Sequence, residues 1–410
     1  MGPLDIAVAG CGPAGLAAAL FLARGGHRVT LYERFETPRP VGSGLLLQPT
    51  GLAVLDRLGL AEETAALGAP ITGLFGIAVP SGLAVLNVRY AWLRRPGACG
   101  IGIHRATLFE TLHRAVVGEG IAVATGRQVA ESVATDGGRR LVFADGSRSP
   151  RHDLVVDALG AGSALAPDTG RALPYGALWA SLDWREEGFA GDVLEQRYRR
   201  ASIMAGVLPI GRRPGSDRRL AAFFWSLRAD RLAEWRARGL EPWKEEVCAL
   251  WPETRPLLGQ IVDPAQLTFA RYAHRTLRRP IEPALVHIGD AWHATSPQLG
   301  QGANMALLDA WALARGLAEE ANLQAALARA ARMRQFHVRL YQGLSMLFTP
   351  AYQSDGRLLP FVRDRIVPPF GRRWPATRIQ AAMVAGTFGG GLTRLGLEPW
   401  AALRSRSAPR

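Results

Sequence analysis

The residues with the clearest capacity for chemistry lie between positions 289 and 304, where an acid, a proline and two glycines accompany Gln301. The preceding apolar run at 284–288 predicts a buried strand, and the apolar spacing of residues 305–314 predicts a helix. Glycines let backbone N–H groups approach a flat or anionic ligand closely, and the N-terminus of the following helix favours negative charge. The stretch therefore predicts a ligand-binding loop between a strand and a helix.

A second glycine-rich loop lies near the N-terminus, between two predicted strands at 5–9 and 28–32. Its three glycines have the spacing of the βαβ fingerprint that binds dinucleotides, and a helical pattern follows them. They are Gly10, Gly12 and Gly15. The first allows a tight turn, the second lets the backbone approach a pyrophosphate, and the third allows close helix–strand packing. Glu33, at the end of the second strand, is placed to bind ribose hydroxyl groups.

The two loops together point to one family. The stretch 289–304 resembles the GD signature, GDAxHxxxPxxGQGxN, of the class A flavoprotein monooxygenases, the p-hydroxybenzoate hydroxylase group. The resemblance implies an α/β fold with a Rossmann-like FAD-binding domain, an antiparallel-sheet substrate domain and a helical C-terminal tail. It also implies that reduced FAD reacts with O₂ to give a C4a-hydroperoxide. That species transfers one oxygen atom to an aromatic or polyketide-like small molecule.

The resemblance also assigns residues to the flavin. In the family, the signature aspartate holds the ribitol of FAD, the Pro-to-Asn segment lies along the isoalloxazine ring, and an arginine that opens a helix contacts the pyrophosphate. Carried over to this chain, the cofactor-binding residues are Gly10, Gly12, Ala14, Gly15, Glu33, Arg34, Gly44, Arg105, Asp290, Pro297, Gly300, Gly302, Ala303 and Asn304. The catalytic candidates are Pro297, which would shape the oxygen site, and Gln48, which would face the substrate. We find no metal-ligand spacing in the sequence.

The predicted organisation alternates between two domains. Residues 1–173 form the first part of the FAD-binding domain, with a short antiparallel excursion at 71–100. Residues 280–345 form its second part, and residues 346–410 form the helical tail. The β-rich residues 174–279 form the substrate domain between them.

The β-rich segments supply the predicted substrate contacts. Residues 121–144 predict a β-meander, and residues 196–208 predict one long strand that would carry Tyr198 and Met204 on a single face. Trp225 lies in the next predicted strand. Tyr198, Met204 and Trp225 are therefore the predicted contacts of an aromatic or apolar substrate. Candidates for a base that deprotonates the substrate are His104, Tyr198, Tyr272 and His274.

One motif departs from the family. After the strand predicted at 153–157, the family has Ala-Asp-Gly-x-x-Ser with an arginine three residues beyond the serine. The aspartate contacts FAD and is tied to productive use of NAD(P)H. This chain has Leu159 at the aspartate and Ala166 at the arginine, while Asp157 stands two positions early. FAD binding should survive because the glycines remain. The expected electron donor is NAD(P)H, without the coupling that the aspartate provides.

Composition narrows the remaining choices. The chain carries a formal charge of +14, and all but one of its 49 basic residues are arginine, the exception being Lys244. Such a charge attracts anionic partners, including phosphorylated cofactors and acidic lipid. Nucleic-acid binding is not expected, because no basic run is interleaved with aromatic residues. The three cysteines have no disulfide or metal spacing, which favours a cytoplasmic location.

Four alternatives stay open. An FAD oxidase or dehydrogenase without direct coupling to NAD(P)H, or a monooxygenase reduced by a partner, would explain Leu159 and Ala166. A non-catalytic flavin-binding or membrane-associated module would explain the basic tail. The apolar patch of that tail, at 379–388, could form a lid, a homodimer surface or a contact with anionic lipid. A ubiquinone-pathway hydroxylase would be the membrane-linked form of a monooxygenase. A flavin halogenase is the least favoured alternative, because it relies on a lysine near the flavin and Lys244 lies far in sequence from the N-terminal loop.

Overall fold

The computed structural model describes residues 1–38, 42–79, 81–167, 170–366, 368, 371 and 373–401. The strands in these ranges are β1 (Asp5–Ala9), β2 (Arg28–Tyr32), β3 (Gly44–Leu47), β4 (Ala69–Ile71), β5 (Gly73–Ala78), β6 (Leu83–Arg89), β7 (Gly100–His104), β8 (Ala122–Ala124), β9 (Val129–Thr135), β10 (Gly138–Phe143), β11 (Leu154–Asp157), β12 (Arg171–Asp183), β13 (Val193–Arg199), β14 (Ile203–Pro209), β15 (Leu220–Arg228), β16 (Thr268–His274), β17 (Ile281–Glu282) and β18 (Leu285–His287). The α-helices are α1 (Pro13–Arg24), α2 (Pro49–Arg57), α3 (Ala61–Leu67), α4 (Arg105–Gly118), α5 (Leu232–Arg238), α6 (Leu240–Leu250), α7 (Arg255–Leu258), α8 (Asp290–His293), α9 (Gly302–Glu319), α10 (Leu323–Tyr352), α11 (Leu358–Phe361) and α12 (Ala376–Val384).

A mainly parallel sheet forms the centre of the first domain, with the strand order β17-β18-β11-β1-β2-β8. Strand β1 is parallel to β2 and β11, and β18 is parallel to β11, whereas β17 is antiparallel. Helices α1, α4 and α9 supply much of the apolar cluster against this sheet. Parallel strands end at one edge of a sheet, so the loops after β1, β11 and β18 converge there. The α/β fold class is confirmed.

Strand β8 corrects one sequence prediction. Residues 121–144 do not form a three-stranded meander, because β8 pairs parallel with β2 of the central sheet. Strands β9 and β10 pair with each other as an antiparallel hairpin. Local alternation predicted the strands but carried no information about the neighbour that each strand would find.

A seven-stranded sheet forms the second domain, with the order β16-β12-β15-β14-β13-β5-β6. Strands β5 and β6, from the 71–100 excursion, complete one edge, with β5 parallel to β13. One face of the sheet packs on α5, α6 and α7. The other meets the first domain, where a Cβ atom on Gly44 would lie 2.5 Å from Ile210 and 2.7 Å from Ala222. Gly44, predicted at the flavin, is thus needed for close packing of the two domains.

The long strand predicted at 196–208 is a hairpin. Strand β13 ends at Arg199 and β14 begins at Ile203, and Arg200 between them adopts a φ of 58°. Tyr198 is paired directly across the hairpin with Met204. Opposed residues of an antiparallel pair share a face of the sheet. The two side chains therefore share a face, as predicted, but by cross-strand pairing and not by period-two spacing along one strand.

Two helices, α9 and α10, follow the signature stretch. Helix α9 ends at Glu319 and α10 begins at Leu323. The Asn322 side chain caps α10 by accepting the Ala325 N–H at 3.1 Å. Within the described ranges, no helix is both long enough and apolar enough to cross a membrane.

The C-terminal tail packs against the signature stretch. In the apolar patch at 379–388, Ala381 and Ala385 are fully buried. Gln301 Nε2 donates to the carbonyl of Val384 at 2.6 Å, so the tail is held to the residue that precedes α9. The predicted helical tail is confirmed, and this patch forms an internal contact.

A buried carboxylate connects the signature stretch to α9 and α10. One oxygen of Asp309 accepts the Gly289 N–H at 2.9 Å and is hydrogen-bonded to His293 Nε2 at 2.5 Å. The other accepts Arg334 Nε at 2.7 Å. Burial raises the pKa of Asp309, but the charges and hydrogen bonds of His293 and Arg334 outweigh burial and lower that pKa to about 2. The carboxylate stays ionised, and His293 has the structural role that its place in the signature suggests.

We expect Arg334→Met to destabilise the fold strongly, because it leaves the Asp309 carboxylate buried with less compensating charge. Removing one partner of a buried ion pair costs about 3–5 kcal/mol. Chemical denaturation followed by circular dichroism measures the change in free energy of unfolding. The matched control is Arg329→Gln on the same helix, whose exposed pair with Glu319 contributes under about 1 kcal/mol. Equally small losses in both variants would contradict the role of Asp309.

Candidate functional site

The N-terminal glycine loop is closed on one side and open on the other. A Cβ atom on Gly15 would lie 1.9 Å from the carbonyl oxygen of Gly10, and one on Gly10 would lie 2.6 Å from that of Ala158. A Cβ atom on Gly12 would meet nothing within 4 Å among the described residues. Helix α1 begins at Pro13 without a side-chain cap, so its first N–H groups are directed into this open space. The geometry suits a pyrophosphate.

Glu33 lies against this loop at the end of β2. Its carboxylate accepts the N–H groups of Cys11 and Phe35, both at 3.1 Å. A carboxylate has about four acceptor positions, so capacity remains for ribose hydroxyl groups. Arg34 is exposed, and its guanidinium lies 4.6 Å from the ring centre of Phe35. A contact of Arg34 with adenosine stays a prediction.

Asp290 lies where the strand-end loops converge. Gly289 before it adopts a φ of +58°, and a Cβ atom there would lie 3.2 Å from the Cβ atoms of Ala14 and Ala306. The Asp290 side chain is open to solvent but lies deep in the molecule. Desolvation raises its pKa, against the opposing charges of His293 and Arg105. The carboxylate has no hydrogen-bond partner in the described part of the chain, and it is positioned to accept hydroxyl groups of a ligand.

The loop that follows ends on an uncapped helix. Pro297–Leu299 forms one 3₁₀ turn, and Gly300, with a φ of +61°, directs the chain towards α9. Helix α9 begins at Gly302 and Ala303 with no side-chain cap. Its first N–H groups therefore have no intrahelical acceptor, and the helix dipole makes this end positive. A Cβ atom on Gly302 would lie 3.9 Å from Asp290 Oδ1, so the carboxylate and the helix end share one space.

Asn304 supports the loop from behind. It is fully buried, and its Oδ1 accepts the Gln48 N–H at 2.8 Å. Its Nδ2 donates to the carbonyl groups of Leu46 at 3.1 Å and Gly300 at 3.0 Å. The side chain thus ties β3 and α2 to the loop, and a direct contact of Asn304 with the cofactor stays a prediction.

The buried side-chain amide of Gln48 has an N–H donor without a hydrogen-bond partner in the described residues. Its Oε1 accepts the Tyr90 hydroxyl at 2.5 Å. Its Nε2 has no partner among the described residues and would lie 3.8 Å from a Cβ atom on Gly300. A buried N–H group without an acceptor is costly, and a ligand carbonyl beside this loop would satisfy it. A contact of Gln48 with the ligand stays a prediction, and so does that of half-buried Pro297 in the same loop.

Arg105, in the first turn of α4, is close enough to Asp290 to oppose the rise that burial causes in the pKa of that carboxyl. Its backbone N–H donates to the carbonyl of Ser43 at 2.8 Å. Its side chain lies over Gly42, where a Cβ atom would be 2.9 Å from Arg105 Cδ. The guanidinium is exposed and forms no ion pair within the described ranges. A free guanidinium in reach of Asp290 is suited to a ligand phosphate.

Asp157 holds the altered loop after β11 through hydrogen bonds within the protein. Asp157 is fully buried, accepts the Ser163 hydroxyl at 2.6 Å and the Leu159 N–H at 3.0 Å, and is hydrogen-bonded to His287 Nδ1 at 2.7 Å. Ala166 packs in a buried apolar cluster. Asp157 therefore stabilises the loop, and the two substituted positions present apolar side chains where the family has charges.

The second sheet presents a different aromatic set from the predicted one. Trp225 packs in the cluster with Trp243 of α6, on the face turned away from the first domain. Successive residues of a strand point to opposite faces, so Phe224 shares the other face with Tyr198 and Met204. Phe224 and Met204 are 5% exposed and Tyr198 is 1% exposed. These placements argue against a substrate contact by Trp225 and make Tyr198 and Met204 the packed support of this face.

Two half-buried residues on this face are better placed for a ligand. The ring of Trp179 lies 4.6 Å from that of Phe224, and its indole N–H donates to the Tyr272 hydroxyl at 3.1 Å. Burial raises the pKa of Tyr272 to about 12, and Arg105 is close enough to oppose that rise. Tyr272 therefore stays protonated and keeps an O–H to donate. Trp179 is not among the substrate contacts predicted from the sequence. Its position between Leu178 and Ala180, which pack towards α6, places it on the opposite face of the sheet.

The assembled residues fit FAD. The open side of Gly12 and free Arg105 suit the pyrophosphate, Glu33 the ribose, and Asp290 the ribitol hydroxyls. The uncapped start of α9 and the free Gln48 Nε2 offer N–H donors to the polar edge of a flat ring. The donors and acceptors of the site thus match both ends of the cofactor.

Comparisons with known proteins agree with this geometry. A family model described as an FAD binding domain matches residues 3–334. The 6-methylpretetramide 4-monooxygenase of Streptomyces rimosus is 28% identical over 390 residues, which cover 93% of this chain and 88% of that protein. The tetrameric form of 2-methyl-3-hydroxypyridine-5-carboxylic acid oxygenase has the same fold, with a TM-score of 0.75, 21% identity and coverage of 93% of this chain and 96% of that chain. Klebsiella pneumoniae HpxO, solved in complex with FAD and uric acid, gives a TM-score of 0.75 at 20% identity, with coverage of 94% and 98%. The chain therefore belongs to the FAD-binding family of flavoprotein monooxygenases, and its cofactor is FAD.

Proposed function

We propose that this protein is an FAD-dependent monooxygenase that transfers one oxygen atom from O₂ to an aromatic or polyketide-like small molecule, with NAD(P)H as electron donor. The observation that carries the proposal is the uncapped start of α9, which lies beside Asp290. Burial raises the pKa values of Asp290 and Tyr272, and Arg105 is close enough to both side chains to oppose each rise. The relatives support a monooxygenase over an oxidase or dehydrogenase, because the Streptomyces relative is a monooxygenase that acts on 6-methylpretetramide.

The chain's own residues divide the remaining work. FAD, when bound, supplies the activation of O₂. Arg105 and the first turn of α1 bind phosphate oxygens, and Asp290 orients the ribitol through its hydroxyl groups. The positive end of α9 stabilises negative charge on the polar edge of the ring. The second sheet covers this space and excludes water.

The substrate side is defined by Trp179 and Tyr272. The flat Trp179 ring offers an apolar surface, and the Tyr272 O–H donates to a substrate oxygen. Tyr272 is not suited to act as a base, because burial raises its pKa. His104 caps α4 by accepting the Ala106 N–H at 3.0 Å, and burial lowers its pKa to about 4. We therefore assign Tyr272 to substrate orientation and His104 to structure.

The direct test is turnover by purified, FAD-loaded protein. We expect NADPH or NADH oxidation and O₂ uptake to match hydroxylated product for at least one member of a panel of phenols, quinones and polyketide aromatics. Mass spectrometry with ¹⁸O₂ then shows one labelled oxygen in the product. Protein that does not bind FAD would overturn the proposal. Reduction of O₂ to H₂O₂ alone, across the whole panel, would favour an oxidase.

Replacing Tyr272 by phenylalanine should weaken substrate binding and leave the flavin in place. One lost hydrogen bond is worth about 1 kcal/mol, so the KM of the substrate should rise roughly fivefold. Steady-state kinetics measures this change, and the flavin absorbance reports FAD content. The matched control is Tyr175→Phe on the same sheet, whose hydroxyl donates to Asp355 at 2.5 Å. An unchanged KM in Tyr272→Phe would remove this residue from the substrate site.

We also propose that the outer part of the tail contacts anionic lipid. The patch at 379–388 is packed internally, but other apolar side chains of the tail are exposed: Leu358 at 72%, Phe361 at 56% and Trp374 at 71%. Three exposed arginines accompany them without an ion pair in the described part of the chain: Arg357, Arg365 and Arg373. Apolar anchors with basic neighbours favour an anionic bilayer surface. In a homodimer through this surface the same arginines would repel each other.

Co-sedimentation with vesicles tests the tail. We expect binding to vesicles that contain phosphatidylserine and little binding to pure phosphatidylcholine. The variant Phe361→Ser/Trp374→Ser should lose most of this binding. The control Val262→Ser, at a position 79% exposed on the second domain, should retain it. Equal pelleting of both variants would contradict the proposal, and so would a dimer in solution that only the tail variant abolishes.

A further inference from the structure

A cleft lined by four arginines lies beside α10. It encloses about 430 Å³ between α10 and the connection from β16 to β17. Its arginines are Arg278, Arg279, Arg332 and Arg339. Trp292, from the signature stretch, forms part of its floor. The proposed chemistry at the flavin uses none of these arginines.

The helical spacing places two of the arginines on one wall. Arg332 and Arg339 are seven residues apart on α10, which puts them on the same face about 10 Å apart along the axis. Arg278 and Arg279 form the opposing wall. The cleft thus presents positive charge from both sides.

These charges are uncompensated within the described ranges. All four arginines are exposed and form no ion pair there, and no aspartate or glutamate is among the lining residues. Two other arginines of α10 behave differently: Arg329 pairs with Glu319, and Arg334 pairs with Asp309. Four like charges around one cavity repel each other, and a bound anion would offset that repulsion.

The remaining lining indicates an organic anion. Leu277, Pro280, Ile281 and Val338 form apolar walls between the arginines. The volume is within the range of about 300–1,000 Å³ typical of small-molecule sites. Guanidinium groups bind phosphate through paired hydrogen bonds, and four of them suit several negative charges. We propose that the cleft binds a phosphorylated small molecule of the nucleotide class.

The cleft also borders the altered motif after β11. Three of its lining residues, Leu277, Trp292 and Val338, belong to the same buried cluster as Ala166. Ala166, at the position where the family has an arginine, is thus apolar. The three residues that share its cluster also line the cleft that carries the four arginines. Two sources share the required chemistry: the phosphate-bearing half of NADPH and a free nucleotide. Naming NADPH rests on the proposed function, whereas phosphate binding does not.

Calorimetric titration of the FAD-loaded protein at low ionic strength tests the site, with NADPH, ADP and inorganic pyrophosphate as probes. We expect Arg332→Gln/Arg339→Gln to raise the Kd of ADP and NADPH at least tenfold and to leave the flavin spectrum unchanged. Arg278→Gln/Arg279→Gln, on the other wall, should do the same and guards against misfolding of one variant. The matched control is Arg236→Gln on α5, at an exposed arginine without an ion pair in the described residues.

Each outcome bears on the proposal. A rise in the KM of NADPH at constant kcat, together with weaker binding, supports the cleft as the NADPH site. An unchanged KM with weaker ADP binding supports a site for a free nucleotide. Equal binding by the wild type and both double variants would overturn the proposal, as would pyrophosphate binding as tight as that of ADP. Protein that retains no FAD would refute the proposed function, while the ADP titration would still report on the cleft.

Discussion

The buried carboxylate of Asp309 is the constraint on which the flavin loop depends. It holds the Gly289 N–H, His293 and Arg334 at once, and these belong to the signature stretch and to α10. Taking such charges out of water is expensive unless every partner is in place. The arrangement therefore favours one position of the Gly289–His293 segment, and with it one position of Asp290. The hydrogen-bond network of Asp309 extends to the C-terminal tail through His337. This side chain is hydrogen-bonded to Arg334 and to the Gly386 carbonyl.

Around this fixed point, the site separates groups that hold the loop from groups that face the ligand. The Asn304 side chain forms its hydrogen bonds with backbone groups of Leu46, Gln48 and Gly300. Asp290 and the start of α9 keep theirs uncommitted within the described chain. A cofactor site needs both kinds, because groups that face the ligand keep their geometry only when neighbouring residues support them. The signature contains both kinds side by side, which explains why so many of its positions are restricted at once.

The loop after β11 shows that the fold tolerates apolar residues at two positions that are charged in the family. Asp157 is satisfied by Ser163, His287 and the Leu159 N–H, so the backbone there is supported without the family's aspartate. Ala166 fills space in an apolar cluster. The glycines and the uncapped helix starts that suit FAD are thus present together with apolar residues at the two altered positions.

The sequence by itself determined the local elements and the cofactor. Glycine spacing, the flanking strands and Glu33 predict the βαβ unit, because Gly10 and Gly15 meet local steric requirements and Gly12 leaves space for a ligand. The signature likewise predicts Asp290 beside a helix start. Partners that meet across long sequence distances were decided only by the tertiary structure. Nothing local indicates that β8 joins β2, that residues 196–208 fold back at Arg200, or that Trp225 faces α6 and not the ligand. Period-two alternation shows that a strand has two faces, but which face is covered by helices depends on packing that the alternation does not encode.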